Sequence, residues 1–259
     1  MKIVMLGSGN TATILSVLIK SAGHELVQII SRNPDNAKQL ASLYGAKTGS
    51  LSDTEYEEAD MYIVALNDAA LDSIHKNSAL KDKFVVHTAG AVSMNVLKNC
   101  SDKFGVLYPL QSLSKVTTHV PEIPFLVDGN TQENRHKILG FAKSLSGKVI
   151  EADDKQRLNY HVAAVFVSNF SNHMYALGEL FCQKERLEFE ALFPLINEVN
   201  ERIKNHSPFL TQTGPAIRND VFTLNRHLQA LAPYPELRYT YLKMTESIIK
   251  IHGKEKEST

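Results

Sequence analysis

Residues 2–12 read Lys2-Ile3-Val4-Met5-Leu6-Gly7-Ser8-Gly9-Asn10-Thr11-Ala12. A short apolar run that stops at a glycine is the pattern of a central parallel strand covered on both faces. Beyond the turn, Ile14, Leu15, Leu18 and Ile19 recur at helical spacing, and Gly23 supplies a stop. Leu26-Val27-Gln28-Ile29-Ile30 then reads as a second strand, so the chain opens with one βαβ unit. Gly7-x-Gly9-x-x-Ala12 falls between strand and helix, the context that gives this spacing meaning. Gly7 permits the tight turn, Gly9 lets the backbone approach a pyrophosphate, and small Ala12 lets helix and strand pack closely. The free N–H groups of the helix start face the phosphates. The plainer alternative is an ordinary glycine turn. The register of strand, helix and second strand favours a dinucleotide site, with Gly7, Ser8, Gly9, Asn10 and Thr11 as its contacts.

The tip of the second strand selects the cofactor. An Asp or Glu there binds the ribose 2′-hydroxyl of NAD, but this sequence has Ser31-Arg32-Asn33. No acid stands ready to repel a 2′-phosphate. Arg32 offers a bidentate fork, and Ser31 and Asn33 offer neutral donors. The reading is NADP(H), against the alternative of a solvated surface arginine.

Downstream, strand and helix signals keep alternating. Helices are expected over 37–43, 70–77 and 131–145, and strands over 61–66, 84–87, 105–108, 125–127 and 148–150. This implies a doubly wound, mostly parallel α/β sheet with helices on both faces. Ligands in such sheets sit beyond the carboxyl ends of the strands. Leu66-Asn67-Asp68 and Thr88-Ala89-Gly90 are therefore expected against the cofactor, and His87, Tyr108 and Gln111 against a substrate. Strand-end loops also hold such residues as plain turn formers.

Near Glu151 the pattern changes to helix alone. One long helix is expected from Asp154 to Phe181, with others over 188–205, 221–232 and 235–251. The expected domains are a Rossmann domain over 1–152 and an all-α domain over 153–259. At about 100° per residue, His161, Ser168 and Asn172 share one stripe of an otherwise apolar helix, with Asn169 and His173 beside it. Buried polar groups need partners, so the stripe is either a packing network or a substrate wall. In the second case His161 is the candidate proton donor, Asn169 its companion, and Ser168 a substrate contact. Thr213-Gly214-Pro215-Ala216-Ile217-Arg218-Asn219-Asp220 breaks the helical run, with Asp220 as a cap. Arg218 is free to hold an anionic substrate group or a partner subunit.

Bulk properties narrow the classes. Of 259 residues, 43% are hydrophobic, and 28 Lys plus Arg balance 28 Asp plus Glu. Zero net charge disfavours a nucleic-acid binder that relies on counterion release. The two cysteines, Cys100 and Cys182, form no CxxC, so neither a disulfide framework nor a metal knuckle is expected. The expectation is a cytoplasmic protein with no metal, no membrane span and a small-molecule substrate.

Taken together, GSGNTA at 7–12, SRN at 31–33, HTAGA at 87–91, YPLQS at 108–112, RLNYHVAAVFVSN at 157–169 and TGPAIRND at 213–220 resemble one branch of the 6-phosphogluconate dehydrogenase-like superfamily. Its members here are Rossmann-like NADP oxidoreductases with a helical C-terminal domain of unknown function, akin to pyrroline-5-carboxylate reductase and deazaflavin-dependent NADP reductase. The resemblance implies NADP(H) binding and a homodimer formed through the helical domain. Better-known relatives use a Lys and an Asn on the first long helix. Asn169 matches the Asn, whereas Val165 stands where the Lys is expected. Two functions follow: hydride transfer to a small carbonyl or imine compound in an interdomain cleft, or a non-catalytic NADP(H) sensor or scaffold.

Overall fold

The computed structural model describes residues 1–115 and 120–253. The charged tail after Gly253 lies outside the described residues. Two compact units are present, Met1–Phe170 and a second from Ser171 onward. The sheet ends at Glu151, near the expected boundary at 152, but the first unit runs past it to Phe170.

The first unit is built on eight strands: β1 (Lys2–Leu6), β2 (Glu25–Ile30), β3 (Lys47–Gly49), β4 (Met61–Val64), β5 (Phe84–His87), β6 (Lys103–Pro109), β7 (Phe125–Gly129) and β8 (Val149–Glu151). They lie in the order β3-β2-β1-β4-β5-β6-β7-β8, and only β6 and β7 pair antiparallel. The α/β class and the mostly parallel sheet are as expected. The chain leaves β1 toward β2 and β3, then returns to place β4 on the other side of β1. Strand order thus reverses beside β1, where open α/β sheets place their ligands.

Period-two alternation divides the apolar runs between two faces. Ile3, Met5, Ile29, Met61 and Ile63 face one core with α1 (Asn10–Ser21), α2 (Pro34–Ser42) and α4 (Gln132–Leu145). Val4, Leu6, Ile30, Tyr62, Val64 and Val85 face the other, with α3 (Asp68–Asp72) and the short turns after it. Each fully buried side chain of this size contributes roughly 1.5–3 kcal/mol, so both faces are anchored at the strands that carry the turn.

Three elements depart from expectation. β3 reads Lys-Thr-Gly and has no apolar run to mark it, yet it pairs parallel with β2. The helix expected over 70–77 is a five-residue α3 followed by 3-10 turns at Ile74–Lys76 and Ser78–Leu80. The long helix expected from Asp154 is interrupted: α5 (Asp154–Ala164) passes into a π-helical stretch, Val165–Phe170, before α6 (Ser171–Glu185). Wider winding through that stretch breaks the 100° spacing on which the stripe of His161, Ser168 and Asn172 rested.

The second unit holds α6, a 3-10 turn, α7 (Phe193–Asn205), α8 (Val221–Ala230) and α9 (Pro235–His252). The side chain of Asp220 caps α8 by accepting from the Thr223 N–H and hydroxyl, as the sequence suggested. The apolar positions of the α5–α6 run are not core. Val162, Phe166 and Phe170 are 48, 63 and 52% exposed. Among the described residues no helix is long and apolar enough to cross a membrane.

Candidate functional site

The turn between β1 and α1 has the geometry its residues call for. Gly7 has φ +133°, and a Cβ there would overlap the Ala65 carbonyl oxygen of the strand-end segment after β4. No L side chain fits that position. α1 has no side-chain cap, so its first N–H groups stay free for a ligand. A Cβ added to Gly9 would meet nothing within 4 Å, which leaves room for phosphate beside the backbone. Ser8 and Thr11 are partly buried, and Asn10 is exposed and accepts a 3.4 Å hydrogen bond from the Lys115 N–H.

At the tip of β2 the three expected contacts separate. Arg32 is exposed and lines a cavity of about 510 Å³ together with Leu66, Asn67, Ser73, Lys76 and Asn77. No carboxylate lines that cavity. Among the described residues neither Arg32 nor Lys76 closes an ion pair. Ser31 is buried, pairs with the Ser8 hydroxyl at 2.8 Å and accepts from the Asn33 N–H. The Asn33 side chain caps α2, accepting from the N–H groups of Asp35 and Asn36. Ser31 is therefore tied into the turn and Asn33 is tied through its amide oxygen, while the Arg32 guanidinium and the Asn33 amide nitrogen stay available as donors. Asn67 caps α3 while facing the same cavity; Asp68 sits in the first turn of α3 and is not one of the walls. Lys76 carries no motif in the sequence, and only the fold joins it to Arg32.

A second cavity, of about 480 Å³, lies at the carboxyl end of β6. Its walls include Tyr108, Gln111, Ser112, His161, Ser168 and Asn169. The Tyr108 hydroxyl is 2.9 Å from His161 Nδ1, and the two rings meet edge to face. A Cβ on Gly90 would come within 2.8 Å of both His161 Nδ1 and Tyr108 Cζ. Gly90 is thus pressed against this pair, and Thr88 and Ala89 beside it are buried. The Ser168 hydroxyl donates to Ser112 at 3.0 Å. Gln111 is held within its own loop, donating to the Glu122 carbonyl and accepting from the Ser112 N–H. Burial pushes the Tyr108 phenol above its ordinary pKa, opposed by the charge of Arg157.

His87, expected against a substrate, is not among the walls of this cavity. It is fully buried at the end of β5, and its Nδ1 accepts from the Ala89 N–H. Its partner in register is Val106, so its ring joins the interior face of β6. Burial, with the Arg157 charge second, depresses its pKa to about 3, which keeps the ring neutral. Asn172, His173 and Arg218 belong to the second unit; all three are exposed. Among the described residues no group of three or more His, Cys, Asp and Glu is placed to hold a metal.

A glycine turn and an uncapped helix start, set where strand order reverses, define a dinucleotide-binding Rossmann protein joined to a helical unit. Comparison with known proteins gives the family. Residues 2–90 match the family described as NADP oxidoreductase coenzyme F420-dependent, and residues 123–248 match a domain of unknown function, DUF2520. The crystal structure of the "putative NADP oxidoreductase" of Bacteroides fragilis is 36% identical, with TM-score 0.85, covering 96% of this chain and 98% of that one. The chain belongs to this family of NADP oxidoreductases. A 1-pyrroline-5-carboxylate reductase of Streptococcus pyogenes shares the fold at 15% identity and TM-score 0.60, with 98% of each chain covered. So does a reductive aminase of Aspergillus terreus solved with NADPH, at 12% identity and TM-score 0.67, covering 96% and 93%. No curated protein matches the chain.

Proposed function

We propose that this protein uses NADPH to reduce a small carbonyl or imine compound, and that the substrate enters the cavity between Tyr108 and the α5–π helix stretch. The observation that carries the reading is the Tyr108–His161 hydrogen bond facing that cavity and packed on Gly90. NADPH supplies the hydride, as cofactors carry the redox chemistry. What falls to the chain is grip, orientation and a proton. The free amides of α1 and the open side of Gly9 receive the pyrophosphate, and Arg32 with Lys76 receives the 2′-phosphate. The strand-end segments Leu66-Asn67-Asp68 and Thr88-Ala89-Gly90 border the bound cofactor.

A reduced imine or carbonyl must gain a proton as well as a hydride. Tyr108 orients His161 through Nδ1, which leaves Nε2 to donate toward the substrate. Ser168 and Asn169 offer neutral hydrogen bonds on the same wall. Among the described residues no wall of this cavity carries a fixed charge, which favours a neutral substrate body. The exposed Val162, Phe166 and Phe170 are too apolar for a solvated helix, and they support a homodimer formed through this region.

The deciding experiment follows NADPH oxidation against a panel of cyclic imines, ketones and 2-keto acids, in the parent protein and in His161→Gln. Turnover that the substitution abolishes supports the reading. Tight NADPH binding with no turnover on any of them favours a sensor, the alternative that Val165 in the lysine position supports.

A further inference from the structure

Among the described residues the largest fully buried side chain is an arginine. Arg157, on α5, is 1% exposed. Its Nη2 donates to the Val92 carbonyl and to Asp154 at 2.8 Å. Its Nε and Nη1 are buried and close no hydrogen bond. Taking a guanidinium out of water costs several kcal/mol, recovered only by good pairing. Two of the three nitrogens recover nothing from the protein, so the residue calls for an explanation beyond packing.

Anchoring α5 is not a sufficient one. Asp153 closes a capping box with Gln156, and Asp154 independently accepts from the Ser93 hydroxyl and the Met94 N–H. The helix start is therefore held to the loop after β5 without the arginine. What Arg157 adds is a buried positive charge against the loop that carries Gly90: its Nη2 donates to the Val92 carbonyl, two residues past the glycine that packs on Tyr108 and His161. His161 follows Arg157 by four residues, one turn further along the same helix face.

We propose that Arg157 is a positioning residue that keeps a buried cation within reach of the Tyr108–His161 pair, so that Tyr108 can hand its proton to His161 when His161 gives one to the substrate. The inference rests on the reading of that pair as the proton source. In this step the Nε2–H bond of His161 breaks and the proton joins the substrate nitrogen or oxygen. The Tyr108 O–H bond breaks and its proton moves to Nδ1, so the imidazole stays neutral throughout. The charge left behind is a phenolate on Tyr108, and the arginine stabilises it in a site of low dielectric. The charge of Arg157 already opposes the upward push of burial on Tyr108. The other titratable groups of the cluster are Asp154 on α5, which pairs with the arginine, and His87 on β5, which burial keeps neutral.

The test is the titration of Tyr108, read by NMR of protein carrying carbon-13 at tyrosine Cζ, with Tyr108→Phe used to assign the signal. In Arg157→Met the Tyr108 titration should move up by about one pH unit, equivalent to a tenfold change in the ionisation constant. Arg157→Lys, which keeps the charge, should hold it close to the parent value and covers the case in which the methionine variant does not fold. On any substrate that turns over, Arg157→Met should lower kcat by about tenfold or more with KM little changed, and Arg157→Lys should restore most of it. A Tyr108 titration that stays in place in folded Arg157→Met, or that shifts equally in Arg157→Lys, overturns the proposal and leaves a structural clamp. The NMR arm needs no turnover, so its outcome is separate from that of the proposed reaction.

Discussion

The hydroxyl of Tyr108 meets Nδ1 of His161 at 2.9 Å across 53 positions of sequence. One residue ends a strand of the sheet and the other sits on the helix that follows the last strand. Such a contact fixes the ring orientation of a histidine that lines the cavity, and when the Tyr108 hydroxyl donates to Nδ1, as in the reading proposed above, the imidazole proton sits on Nε2. A proton donor placed this way contributes about 10²–10⁴-fold to rate. His161→Gln is therefore expected to lower kcat by that order while NADPH affinity, measured by fluorescence titration, stays within about twofold. An equal loss in cofactor affinity would place His161 in the binding site instead.

Gly90 tests the same geometry from the other side. A methyl group there would collide with His161 Nδ1 and Tyr108 Cζ at 2.8 Å. Overpacking of this kind typically costs about 1–3 kcal/mol. Gly90→Ala should lower the unfolding free energy by that amount and depress turnover by separating the pair. Co-substitution with Tyr108→Phe should not relieve the clash, because the ring carbon and not the hydroxyl is struck. Chemical denaturation of the three variants decides it; a fully stable Gly90→Ala would show that the pair has room to move.

The sequence made the scaffold readable and the chemistry only partly so. β1, α1 and β2 announce themselves by unbroken apolar runs around a glycine turn, because burial on both faces leaves no other composition. β3 does not, since Lys47-Thr48-Gly49 at a sheet edge buries too little to show a pattern. The burial of His87 was illegible for a related reason. Phe84-Val85-Val86 is apolar throughout, so nothing in it tells which face the following residue takes, and the ring turned inward. The stripe on the long helix assumed a single winding, and the π-helical stretch at Val165–Phe170 breaks that assumption; His161, Ser168 and Asn169 still meet in one cavity. The buried charge of Arg157 was invisible because arginine in a helix ordinarily reads as surface.

Cofactor choice should rest on Arg32 and Lys76 and not on Asn33. Arg32 and Lys76 line one cavity that among the described residues has no carboxylate, whereas Asn33 is uncharged, does not line it, and has its amide oxygen engaged in capping α2. Arg32→Ala and Lys76→Ala are each expected to weaken NADPH binding by about tenfold or more while leaving NADH nearly unchanged, since charged hydrogen bonds are worth roughly 1.5–3 kcal/mol. Asn33→Ala should instead cost about 1 kcal/mol of stability, as the loss of an N-cap does, with the ratio of the two affinities preserved. Calorimetric titration with both nucleotides separates these outcomes. A ratio that collapses in Asn33→Ala and holds in Arg32→Ala would reverse the assignment.

Neutral His87 makes a prediction for acid stability. An unfolded histidine takes up a proton near its ordinary value of 6.5, while folded His87 does so only at about 3. Between those values the unfolded chain binds a proton that the folded chain refuses, so falling pH favours unfolding. The contribution of His87 is complete above pH 6.5 and is lost progressively as pH drops toward 3. One proton gives a slope of at most about 1.4 kcal/mol per pH unit. Asp154, whose burial is outweighed by hydrogen bonds from Ser93, Met94 and Arg157, adds a loss of the same sign that grows as pH approaches and passes its ordinary 3.8. Between pH 6 and pH 4.5 His24, lowered by burial and the nearby N-terminus, and Glu246, lowered by hydrogen bonds from Lys250 and Lys243, add losses of the same sign, and comparison with His87→Gln cancels them because both groups remain in the variant. Urea unfolding across that window should show a shallower slope in His87→Gln than in the parent, whatever the absolute stability of the variant. Identical slopes would mean that His87 takes up its proton in the folded protein, and the neutral, inward-facing ring assigned here would be wrong.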